Sequence, residues 1–160
     1  MPIIKEYFNN PSIEFELNLN KGRGFVFDKN NPDYLNWIPY EFRLTVENEN
    51  YILNGIEFSL LGLKNFIKKI TYVIDERKIT TEYNEVEYCG CENEFRIKLK
   101  NIENDFEYER VIIELWVNGS FVRDISVGYD IGFRFMVKYE DLKIFLSDLQ
   151  IQLNNLLKSE

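Results

Sequence analysis

The stretch FRFMVKYEDLKIFLSDLQIQLNNLL, residues Phe133–Leu157, changes period in its middle. Phe133, Phe135 and Val137 recur at every second residue, the spacing of a strand with one face turned inward. Further on, Leu142, Phe145, Leu146, Leu149, Leu153, Leu156 and Leu157 recur at three- and four-residue steps, the stripe of an amphipathic helix. No Gly or Pro lies between the two patterns, so a strand over 131–138 runs directly into a helix over 139–157. The same change occurs earlier in the chain. Ile56, Phe58, Leu63, Phe66, Ile67 and Ile70 precede Phe135, Val137, Leu142, Phe145, Leu146 and Leu149 by a constant 79 positions (135 − 56). Two units, each of several antiparallel strands followed by one helix, would explain the offset. Any strand-to-helix edge also gives such spacing, so a tandem duplication of halves at about 12–76 and 77–157 stays open beside that plainer reading.

Outward from these two edges the remaining elements alternate. In SIEFELNLN (12–20), Ile13, Phe15, Leu17 and Leu19 oppose Ser12, Glu14, Glu16 and Asn18, a half-buried strand. KGRGFVFDKNNPDYLNW (21–37) is rich in Gly, Asn, Asp and Pro and reads as a long loop. Its GRG lacks the spacing of a nucleotide-binding turn. YEFRLTVE (40–47) and YILNGIEF (51–58) form a hairpin around Asn48–Asn50. Ser59 is placed to cap the first helix, over about 59–75. Strands resume near residue 78. EFRIKLKNI (94–102) puts Phe95, Ile97 and Leu99 opposite Arg96, Lys98 and Lys100, and residues 108–127 read as two strands joined at Asn118-Gly119, a type I′ turn signal. The predicted fold is α+β: an antiparallel β-sheet of about seven to nine strands with two amphipathic helices packed on it, in a single domain over 1–160.

The totals set limits on function. The chain has 160 residues, 45% of them apolar and 16% aromatic, enough to build a core without a metal or disulfide. With 27 acidic and 19 basic side chains, the net charge of −8 argues against binding a phosphate backbone or anionic lipid and suits a basic partner. The opening MPIIKEYFNNPS lacks the apolar core of a signal peptide, and no stretch reaches the ~18 apolar residues of a membrane span. A cytoplasmic location is therefore expected. Monomer and homodimer remain open.

Cys89-Gly90-Cys91 raises metal binding and thiol chemistry. A zinc site needs four ligands, and this chain offers two thiols and no histidine. In an extended segment the two cysteine Cα atoms would lie roughly 6.6 Å apart, at the outer limit for a disulfide. The expectation is unpaired structural cysteines at a turn or bulge, with no metal and no cofactor. Catalysis has no candidate: acid–base work lacks a histidine, none of 27 carboxylates stands out, and a nucleophilic cysteine lacks its usual base. No enzyme activity is expected.

Two stretches are candidates for binding a partner. Between Glu82 and Glu109 lie nine acidic and three basic residues, a net −6. Within it Glu103, Asp105, Glu107 and Glu109 step by two and would share one face of an extended segment. That face is either a docking surface for a basic protein or simply solvated. In DYLNW (33–37), Asp33 and Trp37 could form a recognition loop, since Trp is a frequent hot-spot residue. Alternatively Trp37 plugs one end of the core while Asp33 and Asn36 cap the turn.

The order of these features resembles the WapI-like immunity proteins of bacteria and related small uncharacterised families found beside polymorphic toxins. The resemblance spans roughly residues 12–157. It rests on DYLNW, the strand IPYEFRLTVE, the helix LLGLKNFIKKI, the glutamate-bearing NEVEYCGCENEFRIKLK and the closing FRFMVKYEDLKIFLSDLQIQL. The Cys-Gly-Cys insertion and the GRGFVFD loop depart from it. It implies a cytoplasmic, non-catalytic protein that binds and neutralises a cognate toxin domain, often a basic nuclease, and it carries over no contact residue. A small-ligand or regulatory binding module, with its ligand held between sheet and helices, is the alternative.

Overall fold

A computed structural model of the chain describes residues 1–8, 12–19, 25, 27–79, 85–90, 94–102, 109–122 and 130–158. Its antiparallel strands divide into two four-stranded sheets. The first sheet comprises β1 (Ile3–Lys5), β2 (Ile13–Leu19), β3 (Trp37–Val46) and β4 (Glu49–Ser59), hydrogen-bonded in chain order. The helix α1 (Leu60–Ile79) follows β4 without a break. The second sheet comprises β5 (Glu85–Cys89), β6 (Phe95–Asn101), β7 (Arg110–Asn118) and β8 (Asp130–Lys138), again in chain order. A single helical turn, α2 (Gly119–Val122), follows β7, and α3 (Tyr139–Leu157) follows β8 directly. The α+β class with antiparallel strands and two long helices is as the periodicity predicts.

Both strand-to-helix junctions are built alike. The carbonyl of Asn36 accepts the Leu60 N–H, and the carbonyl of Glu109 accepts the Tyr139 N–H, each at 2.7 Å. Each acceptor is the residue just ahead of the neighbouring strand, so the first free N–H of each helix is satisfied there. Ser59 caps α1 as its residue type predicts, its Oγ accepting the Gly62 N–H at 3.0 Å.

The helices tie the two halves together. α1 packs on β5 and β6 of the second sheet as well as on β4, while α3 packs on β1 and β2 of the first sheet as well as on β8. Each long helix therefore covers strands of the other half, and one continuous cluster of buried residues runs through both. Its centre is aromatic. Phe95 lies 5.1 Å from Phe42, and its ring also approaches those of Tyr40, Phe58, Phe66 and Tyr88. Burying one such ring is worth about 1.5–3 kcal/mol, so this cluster joins the two sheets.

Three details depart from the sequence reading. α1 continues to Ile79, where strand was expected from near 78, and β5 begins only at Glu85. Asn118-Gly119 does not close a two-residue hairpin. The Asn118 side chain accepts the Ser120 N–H at 3.0 Å and the Ser120 hydroxyl at 2.7 Å, which starts the helical turn α2. β7 still pairs with β8, from Arg110↔Lys138 to Asn118↔Asp130, through the longer connection. The first sheet also gains β1, three residues that no periodicity could announce.

Candidate protein-binding surface

Glu94 explains the glycine of the Cys-Gly-Cys stretch. Its side chain is 1% exposed and accepts a 2.6 Å hydrogen bond from the Tyr40 hydroxyl. A Cβ at Gly90 would lie 2.3 Å from the Glu94 carboxyl carbon, a distance no real pair tolerates. Gly90 is therefore the floor under a buried carboxyl, and its N–H bonds the Phe95 carbonyl at 2.9 Å. Cys89 ends β5 and is exposed, whereas Cys91 lies outside the described residues. Among the described residues no cluster of three metal-ligating side chains occurs.

The acidic stretch 82–109 divides in the same way. Glu103, Asp105 and Glu107 lie outside the described residues. Glu109 is exposed, just ahead of β7.

 Glu109 and Glu47 are the two described non-glycine residues with positive φ, 45° and 54° respectively. Glu85 and Glu87 project from the outer face of the second sheet onto a row of cations. Lys98 lies 3.5 Å from Glu85 and 3.3 Å from Glu87, and Lys100 lies 3.3 Å from Glu85 and 2.7 Å from Glu114. The Glu87 hydrogen bond, with the charges of Glu85 and Glu87, raises the Lys98 ammonium above its usual pKa. The Glu114 hydrogen bond does the same for Lys100. Arg96 stacks over Trp116 at 4.5 Å, and Trp116 in turn covers Gly132 on β8. Glu85 and Glu87 thus belong to a cross-strand lattice of acid, base and aromatic, while the exposed Glu109 stands outside it.

DYLNW builds a different kind of surface. Asp33–Leu35 form one 3-10 turn, and Asn36 beneath it is 3% exposed. The Asn36 side chain accepts the Asp28 N–H at 3.0 Å and donates to the Asp28 carbonyl at 3.2 Å. It also reaches the carbonyls of Asn31 and Pro32, both at 3.4 Å. One buried amide thus fastens the loop from Asp28 to Asn36, the capping role open to it from its residue type. Asp33 does not cap the turn. It pairs with Lys64 of α1 at 2.7 Å. Nor does Trp37 plug the core, for it is 43% exposed, beside Tyr34 at 56% and Leu35 at 52%. Leu61, in the first turn of α1, is 45% exposed. Four large side chains therefore stand in solvent on a framework that is itself fastened by hydrogen bonds.

Trp37 also belongs to the outer face of the first sheet, where it pairs with Ser59 as Pro39 pairs with Glu57. Among the described residues that face carries Glu14, Glu41 and Glu57 with the cations Lys5 and Arg43, while Glu16 is buried and its side chain accepts the Asn18 side-chain N–H. Lys5 takes Glu14 at 3.0 Å and Arg43 takes Glu41 at 3.1 Å, leaving the exposed Glu57 without an ion-pair partner among the described residues. The surface joining acid to exposed aromatics lies here, on β2–β4. The 82–109 stretch stands out in the sequence because its charges are dense there, whereas Trp37 and Glu57 come together only through register.

No described helix is long and apolar enough to cross a membrane. No family model matches the chain, and no curated protein matches it. Among solved structures the chain is similar to the plant transcriptional regulator PBF-2, at a TM-score of 0.40 and 12% identity over 91% of this chain and 76% of that one. A likeness of that degree carries no argument about function.

Proposed function

We propose that this chain is a cytoplasmic, non-catalytic immunity protein that binds and neutralises a cognate, basic toxin domain. The observation that carries the reading is the exposed group Tyr34, Leu35 and Trp37, held on a turn that the buried Asn36 amide fastens. Large aromatic side chains on a rigid support lose little entropy when covered, which is the usual make-up of a binding hot spot. The exposed Glu57 on the adjoining sheet face, with the net charge of −8, suits a partner that itself handles nucleic acid. The order of sequence features shared with WapI-like immunity proteins supports the same assignment. Trp37 and Asp33 are the contact residues of this reading, and Glu109 lies at the other strand-to-helix junction. The test is co-expression with the toxin domain encoded in the adjacent gene. A co-purifying complex and restored growth are expected, and toxicity unrelieved by this chain would overturn the assignment.

A further inference from the structure

A second surface has a different chemistry. Along one edge of α1, Asn65, Lys68, Lys69 and Tyr72 recur at helical spacing and face Val86, Tyr88 and Cys89 of β5. Between them runs a groove of about 500 Å³. Its floor is firm, since the buried Tyr88 ring packs on Phe66 at 4.8 Å and Val86 packs against the core. Tyr72 stands 47% exposed at the rim. Lys69 donates to the Glu87 backbone carbonyl, which fixes its ammonium at the edge of β5. Lys5, Lys64, Lys98, Lys100 and Lys143 each sit on a carboxylate. Among the described residues Lys68 has no ion-pair partner, and no carboxylate lines the groove. In a chain with 27 acids to 19 bases, a concave wall whose charges among the described residues are two ammonium groups is an anion's environment.

We infer that the groove between α1 and β5 binds a small anion carried on a flat apolar body, such as an aromatic carboxylate or an aryl phosphate. Lys68 and Lys69 take the anionic group, while Tyr72, Val86 and Tyr88 take the apolar part, the division of labour of a small-molecule site. The inference is independent of toxin binding, because the groove shares no residue with the Trp37 surface.

The probe is 8-anilinonaphthalene-1-sulfonate, titrated into the full chain and followed by its fluorescence. Saturable one-site binding is expected. Lys68→Glu should weaken it about tenfold, Tyr72→Ala should also weaken it, and Trp37→Ala should leave it unchanged. The bound probe should slow alkylation of Cys89 by N-ethylmaleimide, read by peptide mapping. Benzoate and phenyl phosphate, used as competitors, separate a carboxylate from a phosphate as the preferred group. Binding that does not saturate, an affinity indifferent to Lys68→Glu, or failure of both competitors would each overturn the inference. Unchanged thermal unfolding of the Lys68→Glu chain establishes that a lost signal reports the groove and not the fold.

Discussion

The Tyr40 hydroxyl donates a 2.6 Å hydrogen bond to the Glu94 carboxyl, joining a residue of the first sheet to one at the edge of the second inside the aromatic core. A buried polar group left without its partner costs about 1–3 kcal/mol. Tyr40→Phe removes the donor and leaves the ring. The chain should lose stability within that range, with an unchanged urea m-value. Equilibrium urea unfolding measures both.

Gly90 and Glu94 should behave as a coupled pair. Gly90→Ala places a methyl where the Glu94 carboxyl lies, and overpacking of this kind costs about 1–3 kcal/mol. Glu94→Ala alone leaves a cavity and orphans the Tyr40 hydroxyl. The double variant should be more stable than the sum of the two losses, because the added methyl then enters vacated space. Additive losses in a double-mutant cycle would show that the two residues do not compete for that space. Cys89→Ser, at an exposed position, should stay within about 0.5 kcal/mol of the parent chain.

The cation row on β6 sets an alkaline limit. Lys98 and Lys100 have folded-state pKa values raised above the ordinary 10.5, so their contribution to stability is fully present below that pH. It is lost as pH climbs through the raised values. The difference in unfolding midpoint between the parent chain and Lys100→Met should be constant from pH 7 to pH 9 and shrink above about 10.5. A difference that shrank between pH 9 and pH 7 would contradict the assignment of these partners.

Much of the fold is legible because it depends on local period. The stripe from Leu142 to Leu156 and the alternation Phe95, Ile97, Leu99 follow from which face each residue must bury, and those residues are buried in α3 and β6, joined by Tyr139 and Asn101. What escapes is non-local. Nothing around Glu94 in sequence says that its carboxyl will be buried over Gly90 and under Tyr40, since Tyr40 is 54 residues away. Division into two sheets depends on α1 and α3 crossing to the opposite half, which no single stretch encodes. The Asn118-Gly119 signal failed because the Asn118 side chain bonds Ser120, a local competitor of the hairpin turn. In DYLNW the residue types narrowed the choices for Asn36 and Trp37, but burial of one and exposure of the other came only from the placement of α1 beside them.

The Trp37 surface should be dispensable for folding. Its side chain is 43% exposed and contributes little that solvent does not replace, so Trp37→Ala should change stability by less than about 1 kcal/mol. Asn36→Ala should cost more, about 1–3 kcal/mol, because it frees backbone groups from Asp28 to Pro32 that its amide now satisfies. Thermal unfolding of the two variants side by side checks the contrast.

The most direct test is calorimetric titration of the purified chain with the basic toxin domain that the proposal expects a neighbouring gene to encode, for the parent, Trp37→Ala and Tyr34→Ala. A tight one-to-one complex is expected, weakened by about 2 kcal/mol or more, some thirtyfold, in each variant. No heat of binding with the parent chain, or an affinity that both substitutions leave untouched, would contradict the claim that this surface covers a toxin.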